Sequence, residues 1–127
     1  MLRQIAAFGL VGICATLVHV AVAWALIEQG AIHGFAANAC GAAAAFAVSY
    51  LGNARITFAS KRGLIEGASR YLAVTLVSLA LTSAILALVQ HHGLPTSAYA
   101  LMVVIVVPPA TFLLAKFWAF QQPSPQA

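Results

Sequence analysis

Apolar positions in this chain do not alternate with polar ones, nor recur on one face of a helix. They run on without a charge. Four stretches lack Lys, Arg, Asp and Glu altogether: Ile5 to Ile27, Phe35 to Ala54, Tyr71 to Val89 and Tyr99 to Ala115. About 20 apolar residues in helical form cross the hydrocarbon layer of a bilayer, and only a helix or a closed barrel satisfies its own backbone there. The pattern predicts an all-α, polytopic membrane protein with four transmembrane helices. The first run follows Arg3, as in a secretory leader, but it is longer than the 7–15-residue core of such leaders and passes through a short loop into a second span. It reads as a retained helix.

The intervening polar positions set the expected topology. The basic residues are Arg3, Arg55, Lys61, Arg62, Arg70 and Lys116. With the N-terminus inside, all of them fall on the cytoplasmic side, and the two outer loops, Glu28 to Gly34 and His91 to Ser97, contain neither Lys nor Arg. This is a one-sided positive-inside distribution, with both termini cytoplasmic. The spans group into a four-helix transmembrane domain over 1–120: a hairpin over 3–58, a cytoplasmic loop over 59–69 and a second hairpin over 70–120. Each hairpin opens near an Arg and closes on an aromatic and cationic cluster, so two parallel-repeat hairpins are expected, a plan used by transporters. The tail over 121–127 is polar and proline-containing and is expected to be disordered.

Composition narrows the function classes. Hydrophobic residues make up 63% of the chain and charged residues 6%, against roughly 25% charged in a soluble domain. The net charge of +4 follows from topology and contact with anionic headgroups, and is not the clustered soluble face of a nucleic-acid reader. The only acids are Glu28 and Glu66, on opposite sides. Paired carboxylates, a phosphate-cradling glycine loop and a metal-ligand cluster are all missing, so no enzyme, no metal and no cofactor is expected. His91 and His92, being adjacent, do not converge on one ion. Cys14 and Cys40 lie within spans and read as small packing residues.

Polar residues within the spans are the informative ones, since each needs a partner in hydrocarbon. Gly12, Thr16 and His19 share one face of the first span. The second span carries an i+4 ridge, Ala37, Gly41, Ala45, Ser49 and Asn53, flanked by Asn38; such ridges let helices approach closely. Asn38 and Asn53 divide between interhelix bonding and substrate contact. His19 reads as a relay, a headgroup ligand or a residue bonded to Thr16 or to a neighbouring helix. Arg55 and Lys116, at the inner ends of the second and fourth helices, are the candidates for gripping a lipid phosphate, beside ordinary interfacial anchoring. Trp118, with Tyr50, Phe58, Phe117 and Phe120, reads as an interfacial belt or as a stacking platform for a sugar. Pro108 and Pro109 predict a kink or break in the fourth helix.

These residues resemble the GtrA family of small bacterial four-helix membrane proteins. Phe8-Gly9-Leu10-Val11-Gly12 with Thr16 and His19 is similar to that family's first-span motif. Ser49 to Phe58 and Phe112 to Phe120 resemble its paired helix ends, in which Phe and Leu precede Asn-Arg and a Trp-x-Phe closes the motif. The likeness covers nearly the whole chain. In three places the chain departs from the pattern: His19 where Asp is common, Ala115 for the second Asn, and Lys116 for the second Arg. The resemblance implies translocation of a polyprenyl-phosphate-linked sugar across the bacterial inner membrane for cell-surface polysaccharide synthesis. The cations would capture the phosphate, and the sugar would pass His19, Asn38, Ser49 and Asn53. Membrane lipids, a glycosyltransferase and further copies of the chain are the expected partners; no nucleic acid is. Two alternatives are a non-transporting scaffold that recruits a glycosyltransferase, and a small multidrug exporter. The exporter class depends on a Glu within the first span, where this chain has His19.

Overall fold

The computed structural model describes residues 1–30 and 32–125. Ala31 of the first outer loop, and Gln126 and Ala127 of the tail expected to be disordered, lie outside the described residues. The described chain is helical throughout its regular structure, with α1 over Leu2–Glu28, α2 over Gly34–Gly52, α3 over Leu64–His91 and α4 over Thr96–Leu114. α2 and α4 each continue into a five-residue π-helical turn, Asn53–Thr57 and Ala115–Ala119. All four helices, the second and fourth with their π turns, are long and apolar enough to cross a membrane. At 1.5 Å per residue the 27 residues of α1 reach about 40 Å, beyond the ~30 Å hydrocarbon layer. The chain is a multi-pass membrane protein.

The chain divides into two compact units, Met1–Ala59 and Ser60–Ala127. Each is a helical hairpin whose second helix ends in a π turn. Their boundaries repeat with a constant step: Leu2, Gly34 and Asn53 become Leu64, Thr96 and Ala115, each 62 residues later. The outer turns are alike too. Gly30 and Gly93 adopt positive φ, +63° and +62°, the left-handed conformation that ends helices without a Cβ penalty. After α3 the motif is complete, with Leu94 N–H donating to the Val89 carbonyl and Gly93 N–H to that of Gln90.

In the first unit α1 and α2 pack closely. A Cβ on Gly41 would stand 2.6 Å from the His19 carbonyl oxygen, and one on Gly52 would stand 2.8 Å from Val11 Cγ1. Ala37, Gly41 and Asn53 of the small-residue ridge are buried, with Ala45 and Ser49 half-buried. In the second unit the buried set is larger in side chain: Tyr71, Val74, Ile85, Val89, Phe112 and Phe120. The Tyr71 and Phe120 rings lie 5.3 Å apart. Most other large apolar side chains, such as Leu10, Leu17, Leu101 and Val104, are exposed, as lipid solvation allows.

Two expectations are corrected. The polar stretch over 59–69 is a loop only as far as Gly63; α3 starts at Leu64. Its first turns are held by Arg62–Glu66 and Glu66–Arg70 pairs at i,i+4, and Glu66 lies in the first turn, where the helix dipole favours an acid. The Pro108-Pro109 pair does not break α4, which stays helical from Thr96 to Leu114. Proline fits the φ of a helix, but it removes a donor and crowds the carbonyl four residues back. Nearby, the Thr111 hydroxyl lies 2.9 Å from the Val107 carbonyl and 3.1 Å from that of Pro108.

Candidate functional site

Within the first unit, polar side chains gather at two levels. At the upper level His19 Nε2 lies 2.8 Å from Asn38 Oδ1, so the α2 amide, and not Thr16, is the partner of the histidine. Thr16 donates instead to the carbonyl of Gly12 in its own helix, at 2.9 Å. The pair depends on the close approach of the helices. His19 Cδ2 would be 2.7 Å from a Gly41 Cβ, so only a glycine lets the ring lie there. His19 is half-buried and Asn38 exposed, which leaves the pair reachable from the surface of the described structure.

The lower level sits at the π turn. Thr57 Oγ1 donates to Asn53 Oδ1 at 2.8 Å, and Asn53 Nδ2 donates to Ser49 Oγ at 3.4 Å. A π turn wastes a backbone bond of the α pattern, and Phe58 N–H reaches back to the Asn53 carbonyl at 2.9 Å. The asparagine side chain fastens that turn from within. Asn53 is 1% exposed and so has no surface to offer a substrate; here the geometry gives it a positioning role. About 16 Å of helix separates Asn38 from Ser49, and residues 39–48 between them carry no polar amide, hydroxyl or charged side chain. The polar thread expected from sequence is therefore two clusters, not one line. Next to the lower cluster, Arg55 is exposed, and no described residue pairs with it.

The second unit repeats the turn without that fastening. Ala115 and Ala119 stand where Asn53 and Thr57 stand in the first unit, both fully buried, and Phe120 N–H donates to the Ala115 carbonyl at 2.8 Å. Lys116 is half-buried, its Nζ 5.9 Å from the Phe112 ring centre and 5.5 Å from that of Phe117. Trp118 is exposed, with the Arg70 guanidinium 5.4 Å from its ring centre and Arg70 Nη1 donating to its carbonyl at 3.3 Å. Arg55 and Lys116 thus belong to different units, each in a π turn.

Four spans in two like hairpins invite comparison with known membrane families. Residues 7–120 match the family described as GtrA/DPMS, transmembrane domain. The chain belongs to this family. No curated protein and no solved structure gives a significant match. Membership connects this GtrA-like chain with membrane-associated processes involving polyprenyl-linked sugars.

Sequence reasoning missed one group in this GtrA-like protein. Arg62, Glu66 and Arg70 form a connected ladder at the start of α3. The signal was present, since residues at i and i+4 with alternating charge face one another on a helix. A stretch read as loop hides that spacing.

Proposed function

We propose that this GtrA-like protein translocates a polyprenyl-phosphate-linked sugar across the bacterial inner membrane for cell-surface polysaccharide synthesis, without catalysing a bond change. The observation that carries the reading is the first unit's layout. It offers an exposed Arg55, unpaired among the described residues, at one level and a surface-reachable His19–Asn38 pair at another. A guanidinium suits a phosphate through parallel N–H donors, and the imidazole–amide pair supplies hydrogen bonds to hydroxyls inside a layer that has none. A prenyl chain needs no protein path, because lipid solvates it. Both termini lie on the cytoplasmic side in this reading, so the cations meet the lipid phosphate where such sugars are attached. The exposed apolar faces would be covered partly by lipid and partly by further copies of the chain, and a glycosyltransferase supplying the substrate is the expected neighbour.

The test is translocation of a labelled polyprenyl-phosphate sugar in proteoliposomes, read by its accessibility to an impermeant reagent. Transport above protein-free liposomes, reduced at least severalfold by Arg55→Ala and by Asn38→Ala, supports the reading. Transport equal to protein-free liposomes refutes it and leaves the recruiting scaffold.

A further inference from the structure

We infer that the start of α3 forms a second phosphate site, made by Arg62 and Arg70 beside Trp118 and held shut by Glu66. The inference deepens the transport reading and rests on it for the identity of the lipid. Both guanidiniums converge on one carboxylate oxygen: Glu66 Oε1 lies 2.5 Å from Arg62 Nη1 and 3.2 Å from Arg70 Nη2. Two planar donor forks meeting at one anionic oxygen form the arrangement that binds a phosphate oxygen. The carboxylate therefore stands in for a phosphate oxygen.

Three further observations point to a ligand and not to helix support alone. First, the cations outnumber the acid, and Lys61 adjoins them in sequence. Arg62 keeps a buried Nε with no hydrogen-bond partner among the described residues, although its side chain is only 9% exposed and its Nη2 donates to the Gln121 carbonyl at 2.6 Å. Its donors are not used up. Second, the stand-in is the loosest member. Glu66 is 53% exposed against 32% for Arg70 and 9% for Arg62, so it is the member free to swing into solvent as a phosphate arrives. Third, the other unit builds the same hairpin with Gln4 in the place of Glu66. Phe8 occupies the place of Arg70 and packs on Phe58 at 6.3 Å. The fold plan does not require arginines there. Trp118, under Arg70, adds an exposed aromatic face beside the anion, suited to a prenyl unit or to the apolar face of a sugar.

The full chain in phosphatidylcholine nanodiscs, with Trp24→Phe so that Trp118 reports alone, can be titrated with a prenyl monophosphate and with the prenyl alcohol of equal length. Saturable binding of the phosphate and none of the alcohol is expected. Arg62→Gln or Arg70→Gln should weaken it by about tenfold or more, the loss of a charge-assisted bond. Glu66→Gln should tighten it severalfold, because the internal competitor is gone. That gain cannot come from misfolding. Unchanged or weaker binding in Glu66→Gln, or equal binding of the alcohol, overturns the site.

Inorganic phosphate and phosphatidylglycerol discs separate the sources. Competition by either in a Glu66-sensitive manner supports a general phosphate site, and a response to prenyl phosphate alone ties it to the transported lipid. Undiminished translocation by the Arg62→Gln, Arg70→Gln pair removes this site and leaves the transport reading standing. Glu66-sensitive binding without any translocation does the reverse.

Discussion

Replacing Gly41 with alanine places a methyl carbon 2.6 Å from the His19 carbonyl oxygen, 2.7 Å from His19 Cδ2 and 3.3 Å from Ala23 Cβ. Ordinary contact begins near 3.4 Å, so α1 and α2 must part by about 0.8 Å at this level. The first neighbour is backbone and cannot turn aside. The His19–Asn38 bond, at 2.8 Å, would stretch to about 3.6 Å, past the limit of a hydrogen bond. Overpacking of this kind costs about 1–3 kcal/mol. The lost interhelix bond adds about 0.6 kcal/mol, and the helix propensity of alanine over glycine returns up to ~1 kcal/mol. The net is a loss of about 0.6–2.6 kcal/mol, roughly threefold to eightyfold in the folding equilibrium.

The measurement is equilibrium unfolding in mixed micelles, with Gly12→Ala as the control, since a Cβ at Gly12 meets nothing within 4 Å. Gly12→Ala should match or exceed the parent, and Gly41→Ala should fall below it while losing the imidazole signal of a bonded histidine. Equal stability of the two variants would show that the helix approach is not set by this glycine, and the account of the His19–Asn38 pair would fall with it.

The other expectations concern the helix ends. Asn53→Ala strips the Thr57 hydroxyl of its acceptor in a buried place and should cost about 1–3 kcal/mol, seen as faster hydrogen exchange at the Phe58 amide. Arg70→Gln should speed exchange at the Phe120 amide and leave Phe58 unchanged, because the second π turn is held from outside by Arg70 on the Trp118 carbonyl. Ala59 sits at φ +46°, a conformation costing an L-residue roughly 1–2 kcal/mol; Ala59→Gly should raise the unfolding midpoint by an amount equivalent to about 0.5–1 kcal/mol after the added freedom of the unfolded chain.

Much of this was readable from residues, for reasons that differ by level. Spans announce themselves because a charge in hydrocarbon is expensive, so their cores were placed by Arg3, Glu28, Arg55, Arg70 and Lys116. Their ends were not, because polar residues beyond the hydrocarbon tolerate helix and loop alike. Leu64 to Ser69 are helical, with Glu66 paired to arginines four residues to either side, a local pattern that hydropathy does not register. The His19–Asn38 contact could be suspected from two polar residues in facing spans, and Gly41 marked where the backbones approach. The π turns had no such mark. A π turn needs one bond shifted by a single residue, and Asn53 and Thr57 share their i+4 spacing with an ordinary helix.

The two units then show how one plan accommodates unequal work. The same turn, at the same step along the chain, is fastened by an internal asparagine–threonine bond in the first unit and by alanines under an external arginine in the second. An internal fastening leaves the surface cation, Arg55, without a structural duty. An external fastening gives Arg70 two partners, the Trp118 carbonyl and Glu66, and any anion that draws it away also loosens the turn it holds. Ala115 offers that turn no side-chain bond, and Arg70 on the Trp118 carbonyl is what reaches it from α3. If the proposed phosphate site is right, prenyl phosphate bound at Arg62 and Arg70 should draw Arg70 from the Trp118 carbonyl and speed hydrogen exchange at the Phe120 amide, with the Phe58 amide unchanged; no change at Phe120 on saturation would refute the coupling.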